Sequence, residues 1–217
     1  MKQLFKKIQN FFSSCRLKPV AKEEVLQQTS PKKETHVITV GLDFGTSSVK
    51  AIWNDYSRNK HYLAVLDRHV QGYPSFCMQS SIKIAGGKIY FGAEAENTEI
   101  PGRSIHSIKT SVGMVLKSGH RSDIDEQAAP SDSRLHLEVD GELVIDATPR
   151  YLAIMFLANV IGRIRKCIED HYGDRYKLSV TFNMAAPIGD LDHPEIEHSW
   201  QKILFLAEKL SKQIQSG

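Results

Sequence analysis

The sequence predicts an α/β fold, a mixed sheet with flanking helices, in which antiparallel strands come first and a helix, a strand and a helix follow. Three observations carry this. Val37-Ile38-Thr39-Val40 is a β-branched run that bends at Gly45 and returns as Val49, Ala51 and Trp53 in alternation, the pattern of a hairpin. Leu152, Phe156, Val160, Ile164 and Ile168 recur every four residues, which puts one apolar stripe along a long helix. Leu178–Met184 is a short apolar run beyond that helix and reads as a buried strand.

The remaining elements follow in order. Regular structure is expected to begin at His36. A third strand is expected at Tyr62–Leu66. Phe76–Ile84, the turn Gly86-Gly87 and Ile89–Phe91 read as a second hairpin, with a short helix starting near Ala93. Residues 117–134 are polar and read as a loop. Leu135–Val139, Asp140-Gly141 and Leu143–Ile145 form a third hairpin around a strong turn signal. Thr148 is suited to cap the long helix and Pro149 to occupy its first position. That helix is expected to run from Pro149 to His171, with Gly173 as its stop. A last helix spans Pro194–Ile214, with Ile196, Trp200, Ile203, Leu204, Ala207 and Leu210 on one face.

Composition bounds the class. The chain has 217 residues, 41% apolar and 24% charged, as an ordinary globular protein has. Its +3 charge is uneven. Residues 1–36 carry eight Lys/Arg against three Glu, or +5, and the rest carries 20 bases against 22 acids, or −2. The basic character belongs to the tail, so nucleic-acid binding is not implied. Cys15, Cys77 and Cys167 are sparse and far apart, which argues against a disulfide framework or a zinc site and for a reducing compartment. No long apolar run marks a membrane span or a secretory signal, so a cytoplasmic location is expected. Within the tail and linker of residues 1–36, Leu4, Phe5, Ile8, Phe11 and Phe12 recur at helical spacing beside Lys2, Lys6 and Lys7. The plainer reading is a loosely docked terminal helix; the functional alternative is contact with an anionic membrane surface or a partner groove.

The chemistry concentrates in Asp43-Phe44-Gly45-Thr46-Ser47-Ser48. A strand brings Asp43 to its end. Gly45 lets the backbone turn tightly and approach another group. Thr46, Ser47 and Ser48 offer successive N–H groups and three hydroxyls, an anion-binding concavity. Asp43 would repel a phosphate there unless a divalent cation lay between them, and Mg²⁺ is commonly held by one or two carboxylates plus substrate phosphates. These residues also make an ordinary tight hairpin. The apolar run before them and the strand after them favour a Mg-nucleotide site: Asp43 for the metal, Gly45, Thr46, Ser47 and Ser48 for phosphate.

The same six residues resemble the first phosphate motif of the sugar kinase, heat-shock-70 and actin superfamily of ATPases. Tyr73-Pro74-Ser75-Phe76, Phe91-Gly92-Ala93-Glu94-Ala95, Ser107–Gly113 and the run from Pro149 through Pro187 are similar, in that order, to later segments of the heat-shock-70 branch. The resemblance covers Val37 to about Leu210. It implies the N-terminal lobe of an actin-like (ribonuclease-H-like) ATPase over residues 37–217, with ATP or ADP and Mg²⁺ as ligands and a chaperone-like or regulatory role. A sugar kinase of the FGGY type is the alternative enzyme, because it opens with the same motif. The substrate-binding insertion it would need is not evident in residues 67–135. A non-enzymatic interaction module using the basic tail is the third reading.

Two departures limit the implied activity. The resemblance places a lysine that assists phosphoryl transfer directly after Gly-x-x-Ala, and here that position is Glu96. A carboxylate there opposes the charge that a cation would stabilise. Lys50 and Lys109 are the cations that could stand in. The second departure is the second lobe with its Gly-rich phosphate turn, which nothing after Pro187 matches. A fragment of a longer protein or a disrupted reading frame is the preferred expectation, ahead of half a split ATPase completed by another protein and of a stand-alone module. Under each, one strand of the sheet is expected to be missing, which leaves an edge unpaired. His106, His120, His136, His171, His193 and His198 read as surface or structural residues.

Overall fold

Alternation builds the central strand. In β1 (Thr35–Phe44), His36, Ile38, Val40, Leu42 and Phe44 turn inward and are buried, while Val37, Gly41 and Asp43 face the other side. The computed structural model describes residues 33–67, 74–85, 88–102, 104–117, 135–139, 142–185 and 194–215. Apart from Lys33 these belong to the unit Glu34–Gly217. The amphipathic stretch of the tail, the Gly86-Gly87 and Asp140-Gly141 turns and nearly all of the polar 117–134 loop lie outside the described residues.

β2 (Ser48–Asp55) runs antiparallel to β1, with Phe44 opposite Val49 and Ile38 opposite Asp55. β3 (Lys60–Leu63) and β4 (Cys77–Gln79) share the outer edge of β2, β3 at its far end and β4 at its start. β5 (Ile82–Ala85) and β6 (Lys88–Phe91) form a separate hairpin, as do β7 (Leu135–Val139) and β8 (Glu142–Ala147). β9 (Lys177–Met184) lies parallel to β1 on its other side. The main sheet is therefore mixed, in the order β3-β2-β1-β9.

Two strand expectations are corrected. The third strand starts at Lys60 and ends at Leu63, not Leu66. Leu66 and Asp67 both donate their N–H to Ser75 O, which draws the chain out of the ladder. Phe76–Ile84 is not one strand. It breaks at Ser80-Ser81, whose hydroxyls donate to Gly45 O and Gly92 O and tie two loops together at the break.

The helices are α1 (Ala93–Glu96), α2 (Ile108–Lys117), α3 (Pro149–Tyr172) and α4 (Pro194–Gln215). α3 ends as anticipated. Thr148 Oγ1 accepts from the Tyr151 N–H at 3.4 Å, Pro149 opens the helix, and Gly173 closes it at φ 60°. The whole predicted stripe of α3 is buried, but so is every residue from Leu152 to Ala158. The first half of α3 is thus a central core helix, covered by α2 and α4 as well as by the sheet. Phe44 stacks on Phe156 with ring centroids 5.7 Å apart and meets the edge of Trp200 at 6.2 Å. Burial of such a ring contributes about 1.5–3 kcal/mol. α4 buries Ile196, Trp200, Ile203, Ala207 and Leu210 as expected, but Leu206 in place of Leu204.

β9 is not the fully buried strand anticipated. Only Phe182 is buried, while Lys177, Ser179, Thr181 and Asn183 are exposed. It has β1 on one side and no described strand on the other, so it is an edge of the sheet among the described residues. Its exposed residues join the open face of the sheet, where Val37, Ile52 and Leu63 are 48%, 47% and 55% exposed. Among the described residues no helix is long and apolar enough to cross a membrane.

A polar cluster locks the base of the sheet. Asp55 is fully buried at the end of β2. Its Oδ2 accepts from the Tyr172 hydroxyl and lies 3.2 Å from His36 Nδ1, and its Oδ1 accepts from the Ser57 N–H at 2.9 Å. Arg58 lies over the Tyr172 and Tyr176 rings and donates to Tyr176 Oη at 3.0 Å. Burial alone would raise the Asp55 carboxyl. The hydrogen bonds from Tyr172 and His36, the histidine's charge and the Ser57 N–H outweigh it and hold the carboxyl below its usual range. Burial, then the bond to Asp55, pushes the Tyr172 phenol well above the usual tyrosine range.

Two outcomes follow. Asp55→Ala leaves His36 and Tyr172 without their buried partner and should lower stability by about 3–5 kcal/mol in urea unfolding. Because the folded carboxyl titrates below its unfolded value of about 3.9, the stability it adds is complete above that pH and is lost as pH falls through the folded value. Urea midpoints measured from pH 7 to 2 should drop more steeply on the acid side for the native chain than for Asp55→Asn. Equal slopes would exclude Asp55 as the acid-sensitive group. Thr148→Ala should cost about 1 kcal/mol by the same unfolding measurement.

Candidate functional site

The buried Phe44 ring holds the end of β1 against α3 and α4, and the chain must then reverse at once. Gly45 N–H donates to Ser48 O at 2.9 Å, which leaves Thr46 and Ser47 as the two loop residues. A Cβ at position 45 would sit 2.7 Å from Ser48 O, closer than real contacts allow. Close approach of backbone therefore explains the glycine. The loop carbonyls are tied down from behind: Ser47 O accepts from the Ser80 N–H at 2.9 Å and Gly45 O from the Ser80 hydroxyl at 3.0 Å. The N–H groups of Thr46 and Ser47 have no hydrogen-bond partner among the described residues. Free, successive N–H groups on a fixed turn suit an anion.

Thr46 and Ser47 form one wall of a cleft of ≈ 210 Å³. Gln79, Ser80, Ser81, Glu96, His106 and Ser107 complete it. Gly92 places Glu96. It takes φ 61° to open α1, and a Cβ on it would strike Met78 Cγ at 2.8 Å. The Ala93 N–H then donates to Asp67 Oδ2 at 3.2 Å, and one short turn carries Glu96 to the cleft. Ser107, at φ 56°, opens α2 by accepting the Ser111 N–H through its carbonyl at 3.0 Å. α2 thus begins at the cleft margin. Among the described residues the ionisable groups on the lining are Glu96 and His106, whose Nδ1 lies 3.4 Å from Glu96 Oε1. The lining contains no Lys or Arg among the described residues.

The sequence-predicted residues divide. Thr46 and Ser47 line the cleft; Gly45 and Ser48 form the turn behind them. Asp43 is not on the lining. It is exposed on the open face of the sheet, directly opposite Lys50 in register. Lys50 and Lys109 do not line the cleft either. Glu96 does, so its substitution for the expected lysine falls at the site itself. Gln79, Ser80, His106 and Ser107 are site residues that sequence reasoning missed. The helix α2, also missed, had a usable signal in Ile108, Val112 and Leu116, spaced four apart and all buried.

No protein-family model matches the sequence, and no curated protein matches it at a significant level. The cleft itself therefore carries the functional reading.

The loop geometry is open to a direct check with an internal control. Gly45→Ala should destabilise the chain by about 1–3 kcal/mol in urea unfolding, because the new methyl has nowhere to go. Gly41→Ala, on the same strand with nothing within 4 Å of the added Cβ, should be neutral. Equal effects at the two positions would exclude the close approach as the reason for Gly45.

Proposed function

We propose that the chain binds a Mg²⁺–adenine nucleotide as the N-terminal lobe of an actin-like ATPase of the heat-shock-70 type, working in the cytoplasm. One observation carries the reading: a two-residue loop, braced by Ser80 and Gly45, has unpartnered N–H groups and lines a cleft whose described residues include no cationic side chain other than a histidine. Such a cleft suits phosphate that arrives with its own metal. The mixed sheet, with β1 central, antiparallel to β2 and parallel to β9 across the α3 crossover, agrees with a ribonuclease-H-like lobe. Glu96 on the lining weighs against efficient phosphoryl transfer, since among the described residues no Lys or Arg lines the cleft. The function is therefore nucleotide binding with slow or no turnover.

A fluorescent ATP analogue should bind the purified chain in the presence of Mg²⁺ and be displaced by ATP and ADP. Gly45→Val should weaken it by at least about tenfold, roughly 1.4 kcal/mol. Phosphate release should stay far below the roughly 1–100 s⁻¹ of ordinary phosphoryl-transfer enzymes. Absence of binding at millimolar nucleotide would reject the reading. ATP consumption that requires an added sugar would move it to the sugar-kinase branch.

A further inference from the structure

We infer that Glu96, together with Gln79, holds the divalent cation of the phosphate ligand in this cleft, in the role that sequence assigns to Asp43. The inference rests on the Mg-nucleotide reading and identifies which residues face the metal.

The lining of the cleft carries groups of both signs. The N–H groups of Thr46 and Ser47 have no partner among the described residues and suit an anion. On the same lining are two acceptors without donors, one on Gln79, which pairs with Ser48 beside the loop, and one on Glu96. Glu96 Oε1 and Gln79 Oε1 are both shielded from solvent and make no hydrogen bond among the described residues. Among the described residues Glu96 is paired with His106 Nδ1, which at 3.4 Å is too long for a good hydrogen bond. The other nearby hydroxyls of known direction point away: Ser80 Oγ donates to Gly45 O and Ser81 Oγ to Gly92 O. A bare phosphate would satisfy the loop and leave Glu96 repelling it. A metal–phosphate would satisfy both kinds of group, its phosphate oxygens taking the N–H groups of Thr46 and Ser47 and its cation taking Glu96 and Gln79.

The donor set fits Mg²⁺ or Mn²⁺. Such ions take oxygen ligands, keep several waters and commonly use one or two protein groups plus phosphate oxygens. A site of that kind contains no cluster of three His, Cys, Asp or Glu, and none is found among the described residues. Asp43 fits less well. It is exposed on the open sheet face beside Lys50 and is not part of the cleft lining. The carboxylate at position 96 then has a positive role: the charge that a lysine would supply comes from the bound ion.

The test uses the full chain and two readouts, Mn²⁺ binding by electron paramagnetic resonance and binding of the fluorescent ATP analogue with Mg²⁺ or with EDTA. Circular dichroism melts of each variant establish that it folds. The native chain should bind the analogue at least about tenfold more weakly in EDTA. Glu96→Gln should lose about tenfold or more in Mn²⁺ affinity, and Asp43→Asn should stay within about threefold of native. Glu96→Lys should bind the analogue equally well with and without metal. Loss of Mn²⁺ affinity in Asp43→Asn, alone or alongside Glu96→Gln, would overturn the assignment and leave nucleotide binding standing. Retention in both variants would also overturn it. If the folded native chain binds no nucleotide, the functional reading fails. Mn²⁺ binding that Glu96→Gln abolishes would then still establish the cation site, and its absence would reject that as well.

Discussion

The placement of Phe44 governs the rest of the site. Its neighbours Asp43 and Gly45 are exposed and partly exposed, while its own ring is buried between Phe156 of α3 and Trp200 of α4. Strand alternation makes this possible, because one residue in two must face the helices. The end of β1 is thereby pinned to the densest part of the core. Whatever follows Phe44 starts from a fixed point and in a fixed direction. Gly45 converts that direction into a reversal, and Ser80 braces the reversal from behind. The cleft is a product of core packing as much as of loop chemistry.

The other end of the β1–β2 hairpin is held by different means. There the constraint is polar: Asp55, His36 and Tyr172 meet out of solvent, with Arg58 covering the aromatic rings. A buried carboxylate is tolerable only if its lone pairs are used, and backbone and side-chain donors use them here. The cluster also joins β1, β2 and the last turn of α3, three segments that are distant in sequence. Apolar packing at one end and a satisfied charge at the other thus keep the central hairpin in register.

Much of the architecture was legible because period and punctuation agree. Thr148, Pro149 and the four-residue apolar spacing announced α3, and Gly173 announced its end. The alternation from Val37 to Trp53 announced the central hairpin. What was not legible depended on partners far away in the chain. Nothing local to Phe76–Ile84 says that Ser80 will turn its hydroxyl to Gly45, so the break there was missed. Leu178–Met184 is apolar enough for a buried strand, but only the sheet order reveals that it lies at the edge. Within the site, the Gly45-Thr46-Ser47-Ser48 turn could be read from residue type. Gln79, His106 and Ser107 could not, since a lone amide, imidazole or hydroxyl carries no signal until the fold brings it to a cleft. Glu96 was noticed through a resemblance, and its position on the lining gives that observation its weight.

The bracing of the turn by Ser80 bears on the energetics of capture. A loop that must be ordered on binding spends part of its interaction energy on lost conformational freedom. Here the carbonyls of Gly45 and Ser47 are already engaged, and the Gly45 backbone already lies close against Ser48 O. The Thr46 and Ser47 N–H groups meanwhile have no partner among the described residues. An anion bound at this loop would therefore meet a shape already held, with little conformational entropy left to surrender in the loop itself.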